Sequence, residues 1–270
     1  MRRHWKALVA GLVALVVVGV AAPYIYIHFI EGPAPPKLSL PPSHPTTTAS
    51  GSARTTTASE LSGTYRVGSG SEAGYRVSEV LVGQHATAVG RTSKIWGSVT
   101  IQGNDVSAGS FSVDMASVVS DQSQRNAQFD GRIMDVATYP TATLKLTAPI
   151  VLGSVTPFGS KQTYKVSGEL TLHGVTRPVT FSVTVERTAS GIFALADLPI
   201  VFADWNIANP SVGGLVTTAD SGTLEVLVDL TTGTGNPAVS GSGTASTGGG
   251  PPVPITVPRT TVPKITIPAG

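Results

Sequence analysis

The chain has 270 residues, no cysteine, and a net charge of +2 from 18 Lys and Arg against 16 Asp and Glu. The lack of thiols excludes disulfides, thiolate metal sites, a cysteine nucleophile and a lipid-modified cysteine; in an exported protein it suits a bacterial envelope. The basic excess lies in the ends, since residues 62–231 carry eleven Lys and Arg against fourteen acids and hold no basic run, which argues against nucleic acid as a partner.

The first element is an apolar run over residues 7–30, preceded by Arg2, Arg3 and Lys6. As a helix it reaches roughly 36 Å, enough for the ~30 Å hydrocarbon core of a bilayer. The flanking positive charges predict a cytoplasmic N-terminus, and Tyr24, Tyr26 and Phe29 fall where an interfacial aromatic belt lies. A cleaved leader is the alternative: Val20-Ala21-Ala22 has the small residues, yet Pro23 would follow the cut and the apolar run continues past it. The sequence therefore predicts an uncleaved signal-anchor over 1–30, in a bacterial cell membrane, with the rest of the chain extracytoplasmic.

Residues 31–61 are rich in Pro and Thr, and 232–270 in Gly, Ser, Pro and Thr. Neither stretch carries the apolar surface a core requires, so both read as tethers, the first a semi-rigid spacer. About 170 residues remain between them, enough for one sizeable core.

In that middle region the hydrophobic signal has period two. Phe111, Val113 and Met115 alternate with Ser112 and Asp114; Leu144 and Leu146 with Thr143 and Lys145. Tyr164, Val166, Gly168, Leu170 and Leu172 share one face, as do Phe181, Val183 and Val185, and Leu224, Val226, Val228 and Leu230. Ile95, Val99 and Ile101 line a further strand around Gly97. Antiparallel strands with one apolar face close into a barrel or pair into a sandwich, and Gly97 and Gly168 suit the corners of a small barrel. One segment differs. Ser120 to Met134 is polar with helical spacing of Phe129, Ile133 and Met134, which predicts a helix capped by Ser120 and halted before Pro140.

Three motifs in order carry a resemblance. Gly168-Glu169-Leu170-Thr171-Leu172-His173-Gly174-Val175-Thr176-Arg177-Pro178-Val179 resembles the signature hairpin of the YceI-like family. Arg125-Asn126, Phe129, Asp135-Val136 and Tyr139-Pro140 resemble its helix and the entry to the next strand, and Phe202-Ala203-Asp204-Trp205-Asn206-Ile207 its late aspartate-aromatic segment. The resemblance spans about 62–231. It implies an all-β, lipocalin-like antiparallel barrel with one helical insertion, and an elongated apolar cavity that binds isoprenoid chains or similar long lipids in the bacterial envelope. Two departures stand out: Asn126 replaces the family's usual aspartate, so any ion pair or polar contact by that carboxylate is lost, and Gly70-Ser71-Glu72-Ala73-Gly74-Tyr75 lacks its early His-Ser feature, which puts polar contacts near that end in doubt.

The candidate ligand-binding residues are the inward faces Phe111, Val113, Met115, Leu144, Leu146, Leu170, Leu172, Phe181 and Val183. They either line a cavity or fill one another's space; in the second case the barrel is a structural or interaction module of the envelope. Aromatic content of 6% leaves few large plugs, which favours the cavity. Arg125, Arg132, His173 and Arg177 are candidates for a lipid headgroup, although solvated surface positions explain the arginines as well, and a histidine beside a tight glycine turn more often satisfies local backbone groups. The other histidines (His4, His28, His44 and His85) have no ligand spacing, so neither a metal nor a cofactor is expected. No Gly-x-Ser-x-Gly elbow occurs, and Asp204 reads as a residue fixing a strand crossing. The expected function is therefore non-catalytic: a membrane-anchored protein holding a polyisoprenoid or other long-chain lipid.

Overall fold

Strands form where the alternation places them, and they close on themselves. A computed structural model describes residues 33–42, 61–153, 157–188, 191–214 and 216–233, with the isolated positions 11, 12 and 17. The anchor expected at 7–30 falls outside the described residues apart from those three positions. Among the described residues no helix is long and apolar enough to cross a membrane.

Eight staves make the barrel. β1 (Gly63–Val67) and β2 (Glu72–Leu81) form the first, and β3 (Gln84–Thr92) and β4 (Ile95–Gln102) the second. β5 (Asp105–Asp114) with β6 (Val119–Ser120) is the third; β7 (Thr141–Leu146) with β8 (Ile150–Val151) is the fourth. The long strands β9 (Lys161–Leu172), β10 (Val175–Arg187) and β11 (Ile192–Val201) follow. A short β12 (Val216–Thr218) pairs with β2, and β13 (Ser221–Thr231) is the last stave. Each stave pairs antiparallel with the next, and β13 returns to both β1 and β2, which closes the ring.

Local chemistry explains the joints. The β9–β10 hairpin turns at His173 and Gly174, with φ of 49° and 74°, the two left-handed residues of a turn whose twist matches its strands. Gly97 and Gly168 stand where neighbouring backbone comes close: a Cβ on Gly168 would lie 2.8 Å from the Lys145 carbonyl, and one on Gly97 would overlap the carbonyl of Ser110. The first stave kinks at Gly68–Ser71, where Gly68 N–H donates to the Asp229 carbonyl (2.7 Å) and Asp229 N–H donates to Ser71 Oγ (2.9 Å).

The helical insertion is shorter than its sequence pattern predicts. α1 spans Ser123–Gln128 and runs into a π-helical turn over Phe129–Ile133. Ser120 is not its N-cap. It ends β6 instead, and both its N–H and its hydroxyl donate to Asn126 Oδ1 at 2.7 Å. The expected loss of polar contacts at Asn126 is corrected as well, because its amide oxygen accepts both of these hydrogen bonds.

Buried residues form two clusters. One gathers around Val166, Leu170, Leu172, Phe129 and Trp205, the other around Val67, Ile95, Ile101 and Leu230. Val113, Leu146 and Ile150 pack against both.

Candidate functional site

The inward faces do not fill the barrel. They enclose a cavity of about 720 Å³ lined overwhelmingly by aliphatic and aromatic side chains, with residues from both core clusters. An eight-stranded barrel has just enough room for packed side chains or for one small ligand; small residues on several staves (Ala73, Ala142, Ala194 and Ala196) leave space here for the second. All nine apolar residues singled out by alternation, from Phe111 to Val183, line this cavity.

Alternation does not reveal the first stave. Ala73, Tyr75, Val77, Glu79 and Leu81 all face the cavity, but a glutamate in the face and the kink before it disrupt the pattern. Tyr75 and Phe129 stack with ring centroids 5.1 Å apart, joining this stave to the helical insertion. Burial pushes the Tyr75 phenol up to about 12, with the acids Glu79, Asp121 and Asp130 adding to the shift against the pull of Arg125. It therefore stays protonated, a hydrogen-bond donor at the cavity wall.

Polar lining is concentrated near α1, where Gln122, Gln124, Arg125, Gln128 and Arg132 reach the cavity. The two arginines differ in electrostatics. Arg125 is neutralised, with Nη2 3.1 Å from Glu79 Oε1 and Nη1 bonded to the Asp121 carboxylate. Arg132 donates to Gln128 Oε1 and to the Pro210 carbonyl, both at 2.9 Å and both uncharged, so its positive charge is uncompensated by those bonds. Away from α1, the cavity reaches Asn104, whose buried Oδ1 has no hydrogen-bond partner, and Tyr164, whose hydroxyl donates to the Leu152 carbonyl at 3.3 Å.

His173 and Arg177 do not line the cavity. His173 Nδ1 lies 3.1 Å from the Trp205 carbonyl and its ring meets Tyr139 edge-on at 4.7 Å, so it ties the hairpin to the 3₁₀ turn at Phe202–Trp205. Arg177 Nε donates to the carbonyl of Asp204, whose carboxylate lies 3.8 Å from Arg177 Nη1. Asp204 thus pins the turn against the hairpin on an exposed surface. Among the described residues no group of three or more His, Asp or Glu is placed to hold a metal ion.

A second polar constellation lies on the outside of the barrel. Asp197, Glu225, Gly74 and Arg91 stand in register across β11, β13, β2 and β3. Gly74 has no side chain, and a Cβ there would lie 2.8 Å from Arg91 Cγ; the gap lets Arg91 cross β2 and place Nη2 3.1 Å from Glu225 Oε2. Arg76 Nε approaches Glu225 Oε1 at 2.6 Å. The Pro-rich segment 33–42 covers this patch: Arg76 Nη2 donates to the Pro35 carbonyl at 2.8 Å, Arg91 donates to the Pro36 carbonyl, and Lys37 pairs with Asp197 at 3.3 Å. Leu40 is only 8% exposed. Part of the expected spacer is thus a strap seated on the fold, and Glu225, on the outward face of β13, has 0% exposure. Burial alone would raise the Glu225 carboxyl, but the hydrogen bonds and charges of Arg76 and Arg91 outweigh it and hold the group below its usual range.

The profile of the YceI-like domain matches residues 65–230. Among solved structures, a polyisoprenoid-binding domain from Saccharophagus degradans is 18% identical, with a TM-score of 0.49, over 62% of this chain and 97% of that one. BcnA of Burkholderia cenocepacia is 25% identical, with a TM-score of 0.44, over 57% and 94%. The YceI protein of Campylobacter jejuni is 16% identical, with a TM-score of 0.35, over 45% and 71%. No curated protein matches the chain in sequence.

Proposed function

This chain belongs to the YceI-like domain family, and from that premise we propose that its barrel holds one long-chain lipid, a polyisoprenoid or an acyl chain, without catalysing a reaction. The observation that carries the proposal is the apolar cavity of about 720 Å³. A hydrocarbon chain gains about 0.8 kcal/mol for each CH₂ moved from water into such a lining, so affinity comes from length rather than from a few polar contacts. The polar groups near α1 suit the opposite end of an amphipathic ligand. Arg132 offers a charge and Tyr75 a neutral donor there, which favours an anionic or oxygen-rich headgroup. Arg125, held by two carboxylates, orients the insertion more than it binds.

The same proposal places the barrel outside a bacterial cytoplasmic membrane, anchored through residues 7–30, with the N-terminus inside. Its support is the apolar run and the positive charges before it. Carbonate extraction combined with protease accessibility in spheroplasts tests this part; release from the membrane by carbonate would refute the anchor.

The ligand test is mass spectrometry of organic extracts from detergent-free barrel, paired with titration of a fluorescent acyl probe. Co-purified lipid in near-stoichiometric amount is expected. Protein that is reproducibly empty and ignores the probe would overturn the reading in favour of an interaction module.

A further inference from the structure

A hexapeptide pattern occurs near both ends of the chain. Pro36-Lys37-Leu38-Ser39-Leu40-Pro41 precedes the barrel, and Pro263-Lys264-Ile265-Thr266-Ile267-Pro268 lies in the tail. Three positions are identical. The other three exchange like for like, aliphatic for aliphatic and hydroxyl for hydroxyl.

The structure shows what each position does in the first copy. Lys37 pairs with Asp197 on β11. Leu38 is half-buried and Leu40 buried, while Ser39 between them faces solvent. The carbonyls of Pro35 and Pro36 take hydrogen bonds from Arg76 and Arg91. Every one of these requirements is met again in the tail. Lys264 carries the charge, Ile265 and Ile267 have the same alternation, and Val262 and Pro263 supply the two carbonyls, which any residue provides. Prolines at both ends favour the extended conformation in which such a segment is read, through its carbonyls and alternate side chains.

Each chain therefore carries two ligands of one pattern and one described site for them, filled by its own strap. We propose that the outer face built from Asp197, Arg76, Arg91 and Glu225 is a docking site for this hexapeptide pattern, and that its second occupant is the Pro263–Pro268 segment of another molecule. The tail segment enters when the strap of the receiving molecule leaves. The contact is heterologous, tail of one molecule to barrel of another. It is independent of any lipid in the cavity.

The absence of native cysteine makes the test clean. Full-length chain carrying Asp197→Cys and Leu40→Ser is mixed in detergent with full-length chain carrying Lys264→Cys, then treated with a short bis-maleimide. A two-chain product is expected. It should fall severalfold when the tail partner also carries Ile265→Ser and Ile267→Ser, and when Leu40 is restored in the receiving chain. In parallel, a labelled peptide of residues 259–270 should bind full-length Leu40→Ser protein by fluorescence anisotropy. Lys264→Glu in the peptide should weaken binding up to about fivefold, as expected for an exposed ion pair, and Asp197→Lys in the protein should restore it. A two-chain product that is absent, or indifferent to the serine changes, overturns the proposal. Peptide binding without any two-chain product overturns the assignment to a second molecule.

Discussion

The two faces of this barrel reverse the usual arrangement. Inside, the surface is apolar and encloses open space; outside, one patch is charged, closely paired and bonded to Pro35, Pro36 and Lys37 of the strap. Close packing is the rule for protein interiors, so the departure from it inside is where a ligand belongs. Buried charge is tolerated only when every partner is in place, so the outer patch behaves like a core. The outer patch and the cavity lining share no side chain, which makes the two separable by mutation.

The largest effect is expected from removing the outer carboxylate. Glu225→Ala leaves Arg76 and Arg91 facing each other under the strap, and unfolding in urea should show a loss of about 3–5 kcal/mol. The same residue governs the acid response. Its folded value lies below the unfolded one, so its contribution is complete above the ordinary carboxylate range and is lost as pH falls through the folded value. Glu225→Gln should therefore flatten the decline in stability on acidification. Asp229 works in the opposite direction, because burial raises its carboxyl and favours the protonated form in the fold. Asp229→Asn should accordingly be at least as stable as the parent at neutral pH, and urea midpoints between about pH 3 and 7 separate the two carboxyls.

Next in size is a change to the inner face. Ala196 on β11 lines the cavity between Val183 and Val226 of the neighbouring strands. Ala196→Phe should weaken titration of a fluorescent acyl probe at least about tenfold, or 1.4 kcal/mol, while the melting temperature holds. A solid barrel would instead show overpacking, at about 1–3 kcal/mol of lost stability.

The strap carries the smaller effects. Leu40→Ala should cost about 1–2 kcal/mol and speed tryptic cleavage after Lys37, because docking protects that bond. Lys37→Ser removes an exposed pair with Asp197, and the urea midpoint should register less than about 1 kcal/mol.

The sequence made the barrel legible wherever a run of alternating residues is apolar on one face, as in residues 164–172 of β9, 181–185 of β10 and 224–230 of β13. It failed at the first stave, where the kink at Gly68–Ser71 and the inward Glu79 each break the period. It also missed β11, whose Ile192–Val201 includes Asp197 and Pro199 and whose first residues are apolar on both faces. The nine apolar lining residues were readable because lining and strand periodicity are the same signal. Tyr75, Glu79 and the neutral partners of Arg132 were not, since they depend on which stave meets α1. Glu225 was the least visible of all. Alternation correctly places it outward, but nothing within β13 reveals that residues 33–42 will cover it.

That covering segment also sets a length. With the strap seated, the Pro35 carbonyl is held against the barrel by Arg76; with it released, the next described residue of the chain is Leu61. The intervening residues amount to roughly 90–100 Å of extended reach. Seating or releasing ten residues on the side of the barrel would thus change how far the cavity can lie from the residues that precede the strap, without altering the cavity itself. The strap is in this sense a leash with two lengths.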